Sequence, residues 1–316
     1  NFASALNKIG EHHEAEKIFR QCLEVRQRVL GKEHRRTLST MRKLASAVKH
    51  AGGHLQAISI LRESLEIGKR VLRKEHPITL STMQNLASAL NRAGEYLQAV
   101  QVGRQCLEMQ QRVLGKEHHD SLDTMDHLAL ALNQAGEHDE AVSVYRECLG
   151  VRQQVFGTEE VETLNTMCYL ALALTSCPAG AKESLSIIQS CRHEIVSSAR
   201  PCPAYLSAFS RAVLSLSLAI NQCVEEALVE SCAAVDLSSE LKHLKLEYHP
   251  FSLAVRCEVL VQAGPEHLGA AQSLGNEAIH WMTGKQEGHW YLKHPREVLG
   301  GVKTALCRAG HLPEIL

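Results

Sequence analysis

The stretch that decides the fold is His76-Pro77-Ile78-Thr79-Leu80-Ser81-Thr82-Met83-Gln84-Asn85-Leu86-Ala87-Ser88-Ala89-Leu90-Asn91-Arg92-Ala93-Gly94. Met83, Leu86, Ala87 and Leu90 fall at i, i+3, i+4 and i+7, one apolar face of a helix. His76-Pro77 opens that helix, because proline lacks the N–H that the first helical position leaves unpaired in any case. Gly94 closes it, since glycine accepts the left-handed backbone that follows many helix ends. A second helix carries Ala99, Val102, Cys106, Leu107 and Val113-Leu114, and stops at Gly115-Lys116-Glu117-His118. Small side chains at Ala87, Ala99 and Cys106 let the two helices approach closely. Larger ones would overpack the contact at a cost of typically about 1–3 kcal/mol.

The same string recurs along the chain. Met41, Met83, Met125 and Met167 are 42 residues apart and make up four of the six methionines. Thr37-Leu38, Thr79-Leu80, Ser121-Leu122 and Thr163-Leu164 keep that period, as do Gly10, Gly52, Gly94 and Gly136. Ala15, Ala57, Ala99 and Ala141 follow it too. Residues 1–176 therefore read as four regular 42-residue helix pairs plus the first helix of a fifth. After residue 177 the pattern decays. Cys177-Pro178-Ala179-Gly180 and Arg200-Pro201-Cys202-Pro203 interrupt it, while His249-Pro250 and His294-Pro295 bring back the linker with a phase shift. Ala309-Gly310 closes one more helix. Residues 177–316 read as degenerate helical repeats. The expected fold is all-α, an α-α superhelix of about seven helix-turn-helix units. The missing initiator Met and the ragged ends suggest a fragment of a longer chain.

Composition agrees with stacked helices. Of 316 residues, 45% are hydrophobic but only 4% aromatic, so Leu, Ala, Val and Ile must fill the core. The formal charge of −1 lacks the overall excess of a nucleic-acid binder. No apolar run is long enough to cross a membrane. Eleven cysteines include no CxxC pair and no zinc-finger spacing, and read as reduced thiols used as small apolar residues in a cytoplasmic protein.

Catalytic signatures are missing: there is no GxSxG, no HExxH, and Gly31-Lys32-Glu33 lacks the rest of a phosphate-binding loop. No enzyme activity, cofactor or metal is expected. His34, His76 and His118 recur at the loop position and read as polar loop or capping residues.

Leu86, Ala87, Leu90, Gly94, Tyr96, Ala99 and Cys106 occupy the helix-pair signature of the tetratricopeptide repeat, which the chain resembles over residues 1–175. The 42-residue period and the Gly-x-Glu-His-(Pro)-x-Thr-Leu linker are similar to the kinesin light chain and nephrocystin type. In such stacks the first helix of each pair lines a concave surface. The exposed side of that helix in the third unit carries Ser81, Gln84, Asn85, Ser88, Asn91 and Arg92. The second unit offers Arg42, Lys43, Ser46, Lys49 and His50, and the first offers Asn1, Ser4, Asn7 and Lys8. The fourth supplies Asp123, Asp126, His127, Asn133 and Gln134.

Lys8, Arg42, Lys43, Lys49, His50 and Arg92 would thus form a basic groove that turns acidic at the fourth unit. Gln84, Asn85, Asn91 and Asn133 can pair with an extended peptide, each amide offering a donor and an acceptor. The resemblance implies that asparagines and basic residues here hold acidic peptides. Asn1 and Asn85 keep the Asn of its Asn-Leu-Ala motif, and Lys43, His127 and Tyr169 depart from it.

The expected function is a non-catalytic scaffold that binds a protein or peptide partner, acidic in character. The alternative is the sensor array of a larger signalling NTPase whose catalytic domain lies outside this chain. RNA is disfavoured, because the basic positions do not recur in every unit and carry no stacking aromatics.

Overall fold

The structure, a computed structural model, describes residues 2–177, 179–197, 202–240 and 248–283. Within these the chain forms helices and no strand. The helices follow in pairs: α1 (Phe2–Lys8) and α2 (His12–Leu30), α3 (Arg35–His50) and α4 (His54–Val71), α5 (Pro77–Arg92) and α6 (Tyr96–Leu114). Next come α7 (His119–Ala135) and α8 (His138–Val155), then α9 (Val161–Thr175) and α10 (Ala181–Ser197). The last pairs are α11 (Ala204–Ile220) with α12 (Val224–Glu240) and α13 (Tyr248–Ala263) with α14 (Leu268–Thr283). The linkers at His294-Pro295 and Ala309-Gly310 lie outside the described residues, as do Asn1 and Pro178.

Repeated side-chain bonds fix where the odd-numbered helices begin. Nδ1 of His34, His76 and His118 accepts the backbone N–H of Arg36, Ile78 and Asp120, each at 3.1 Å. Each histidine thereby satisfies one of the N–H groups a helix start leaves open. The hydroxyls of Thr37, Thr79 and Ser121 donate to the carbonyls of Gly31, Arg73 and Gly115 at 2.8–3.0 Å, which ties the preceding loop to the helix. The fifth unit loses both devices. Glu160 stands at the cap position without a side-chain capping bond, and the buried Thr163 hydroxyl has no hydrogen-bond partner.

The chain divides into two compact units, residues 1–137 and 138–285. In the first, Leu38, Met41, Leu80, Met83, Leu86, Leu122 and Met125 are all buried at the 42-residue period. In the second, one apolar cluster gathers Leu164, Met167, Leu206, Phe209, Val213, Phe251 and Val255. Most of the few aromatic side chains described there stand in single file: Tyr145, Tyr169, Phe209 and Phe251, with ring centroids 6.3, 5.1 and 5.6 Å apart.

The repeat persists further than its motif. Leu206, Phe209 and Val213 lie 42 residues beyond Leu164, Met167 and Ala171, and Phe251 and Val255 lie another 42 on. No phase shift occurs there. Pro250 falls inside the first turn of α13, where a proline is tolerated, so His249-Pro250 does not start this helix as His76-Pro77 starts α5.

The ten described cysteines are free thiols. Cys106 and Cys148 are fully buried helix contacts; the Cys106 thiol donates to the Leu80 carbonyl at 3.5 Å. Burial pushes its pKa up to about 12. Cys22 has the same repeat phase but is exposed. Cys168 and Cys191 bring their sulfurs to 3.6 Å in the buried seam between α9 and α10.

Candidate peptide-binding face

The first unit places α1, α3, α5 and α7 side by side, with α5 packed against both α3 and α7. Lysines of α3 bridge to both neighbours. Nζ of Lys43 reaches back to the Ser4 hydroxyl of α1 at 3.5 Å, and Nζ of Lys49 reaches forward to the Ser88 hydroxyl of α5 at 3.0 Å.

This proximity corrects one expectation. Lys49, Ser88 and Asn91 are not on an exposed side: they are 7%, 8% and 3% exposed. Neighbouring helices lie close enough to cover the side chains between them. Arg42, Lys43, Gln84, Asn85, Arg92 and Asn133 are half-buried, and His50 is exposed. The side chain of Lys8 lies outside the described residues.

Asn85 and His127 hold the same repeat position and make the same bond. Nδ2 of Asn85 donates to the Ser81 carbonyl at 2.7 Å, and Nδ1 of His127 sits 2.7 Å from the Asp123 carbonyl. That carbonyl can only accept, so the bond fixes a proton on Nδ1 and leaves Nε2 of His127 as the atom that titrates. Two buried polar atoms in this region have no hydrogen-bond partner, Oδ1 of Asn91 and Nε of Arg42.

The electrostatics concentrate at the C-terminal ends of α3 and α5. His50 stacks on His12, ring centroids 5.1 Å apart and planes 25° from parallel. Although part of its ring is open to solvent, His50 is held below the ordinary imidazole range, first by desolvation and then by the charges of Lys49 and Arg92 and the imidazoles of His12 and His54. His127 is also lowered, first by burial and then by Lys49, with Arg92 adding to it. Midway along α3 burial lowers the Arg42 guanidinium, while Asp120 acts in the opposite sense.

Neither His12, read only as one of two adjacent histidines that cannot chelate together, nor His54 was among the expected site residues. A signal for them existed: His12, His54, Tyr96 and His138 are 42 residues apart, each the first residue of an even-numbered helix. Nδ1 of His12 is 2.8 Å from Oδ1 of Asn7, and His54 is buried. On the acidic side, His119, Asp120 and Asp123 come within 4.8 Å of one another. Nδ1 of His119 lies 3.0 Å from Asp123, and the helix start favours acids in its first turn, so these groups are accounted for without an ion.

Helix pairs repeated at fixed spacing, with a polar face on the first helix of each pair, define a helical-repeat interaction module. Residues 1–70, 42–112 and 79–154 match the family model described as tetratricopeptide repeat, so residues 1–154 are tetratricopeptide repeats. The fold class is accordingly all-α, of the tetratricopeptide type.

Solved structures agree. A kinesin light chain-type protein of Podosopora anserina with nearly identical TPR-like repeats is 25% identical, with a TM-score of 0.56 over 62% of this chain and 92% of its own. BtubC (BKLC) from P. vanneervenii is 15% identical, with a TM-score of 0.57 over 75% of this chain and 91% of its own. A Rap protein shares the fold at 12% identity, with a TM-score of 0.52 over 98% of this chain and 97% of its own. No curated protein sequence matches the chain. Repeats of this family serve generally as non-catalytic protein-interaction modules.

Proposed function

We propose that the protein is a non-catalytic scaffold whose odd-numbered helices in residues 1–137 form a groove for an acidic peptide or partner helix. The single observation that supports this reading most is the convergence of cations on neighbouring helices. Lys49 of α3 crosses to α5, and its charge, with that of Arg92, is felt by His50 and by His127 on α7. A ligand carboxylate would be drawn to this local excess of positive charge.

In this reading Arg42, Lys43, Lys49, His50 and Arg92 supply charge. Gln84, Asn85 and Asn133, all half-buried, supply hydrogen bonds to the peptide, while the buried Asn91 lies beneath them. The free thiols support a reducing, cytoplasmic setting, and among the described residues no helix is long and apolar enough to cross a membrane.

Charge reversal tests the groove. Lys49 is left alone, because a carboxylate buried in its place would unfold the site. The variant R42E/K43E/R92E alters half-buried side chains. It should weaken binding of an acidic peptide at least tenfold, with the helical circular dichroism spectrum intact. Unchanged binding by the folded variant would remove the groove assignment.

A further inference from the structure

We propose that residues 1–137 carry a second interaction surface, the edge formed by the turns joining α2 to α3, α4 to α5 and α6 to α7, and that this edge docks on an anionic lipid surface. It shares no residue with the groove and does not rest on that reading.

The repeat itself concentrates charge there. Residues 28–36, 70–78 and 112–120 are the same window of three successive units. Together they hold nine Lys and Arg against four Asp and Glu, in a chain whose formal charge is −1. Arg28, Arg70 and Arg112 share one phase of the repeat, and Lys32, Lys74 and Lys116 share another. Val29, Val71 and Val113 stand beside the arginines in a phase of their own.

The structure joins the three turns into one edge. Arg70 bonds across to Glu33 of the preceding turn, and Arg112 bonds across to Glu75 in the same way. All nine cations are exposed. Among the described residues Arg28, Arg35, Arg36, Arg73, Lys74 and Lys116 make no ion pair, so their charge is available to a partner. The three valines are not folded away beneath them: Val29 is 69% exposed, Val71 42% and Val113 44%. Glu24, Glu66 and Glu108 stand one helical turn back from the arginines, so the outermost layer is the basic one.

The partner must therefore be a polyanion that also accepts apolar side chains. An anionic bilayer is both, with charged headgroups at its surface and hydrocarbon just beneath. A nucleic acid supplies phosphates but no seat for the valines, and the three windows contain no aromatic side chain on which bases could stack. A partner helix needs a groove, whereas side chains this exposed form a ridge. A ridge meets a broad surface at all three turns together, and three weak contacts at one repeat spacing act as one stronger contact.

The test is sedimentation of the full chain with vesicles. Phosphatidylcholine vesicles containing about 30% phosphatidylserine should retain the chain, and vesicles of phosphatidylcholine alone should not. Retention on the anionic vesicles should fall roughly tenfold or more as KCl rises from about 0.05 to about 0.3 M, a readout that needs no variant. R35E/R73E/K74E/K116E alters exposed side chains only and should lose at least about tenfold in partitioning, with its helical circular dichroism spectrum intact. V29S/V71S/V113S should weaken partitioning by a smaller factor and keep the salt dependence. Failure of the original chain to bind anionic vesicles, or full retention of the folded charge-reversal variant, overturns the proposal. Unchanged binding by the serine variant, or tighter capture of poly(U) or duplex DNA than of anionic vesicles at equal salt, overturns the assignment to lipid.

Discussion

Arg73 occupies the place held by Gly31, Gly115 and Gly157 in the other units, and it adopts their left-handed backbone, with φ at +78°. A side chain there costs roughly 1–2 kcal/mol, part of which a glycine would return as greater freedom of the unfolded chain. Arg73→Gly should therefore raise stability by about 1 kcal/mol in urea unfolding; a loss would show that the arginine contributes contacts that outweigh its strain. Gln110 poses a different problem. It is 1% exposed, and its Oε1 has no hydrogen-bond partner. The unbranched, apolar Gln110→Met removes that unmet acceptor, so its stability should equal or exceed the original by up to about 1 kcal/mol. Lys49→Met is expected to leave the fold intact, since Ser88 can bond within its own helix, while weakening acidic-peptide binding.

At the scale of the element, the helices of the first unit depend on buried leucines in a fixed phase. Leu86 is 3% exposed on α5, and Leu86→Ala should cost about 2–5 kcal/mol. Leu206 on α11 is fully buried, so Leu206→Ala should cost as much. A small loss at Leu206 would mean that α11 packs loosely despite its burial. The comparison bears on what the residues reveal by themselves. The start of α5 was legible, because His76 and Pro77 each do one local job. The regular setting of α11 was not, because Pro203 replaces the histidine cap and Phe209 and Val213 replace Met and Ala. Apolar identity changes freely where only volume and burial matter, so the motif fades while the 42-residue spacing survives.

At the scale of the molecule, pH acts on stability. His50 and His127 titrate below the ordinary imidazole range when folded, so the unfolded chain binds more protons once pH drops below about 6.5. Their contribution to folding is constant above that range and is lost progressively as pH falls through it. The Tm should fall between pH 7.5 and 5.5, and fall less in H50N/H127N, by differential scanning calorimetry without peptide. The polar face itself was readable from the 42-residue phase: Arg42, Lys43, Asn85 and Arg92 stand on neighbouring helices as their spacing requires. What the phase does not contain is the gap between those helices. That gap decides that Lys49 and Asn91 are buried, that Lys49 reaches Ser88, and that imidazoles from α2 and α4 join the same cluster. Amide hydrogen exchange with and without saturating (Glu-Ala)5 peptide tests the central claim most directly. The account predicts that added protection is concentrated in α3, α5 and α7. Protection confined to α4 and α6, or to residues 138–283, would contradict it.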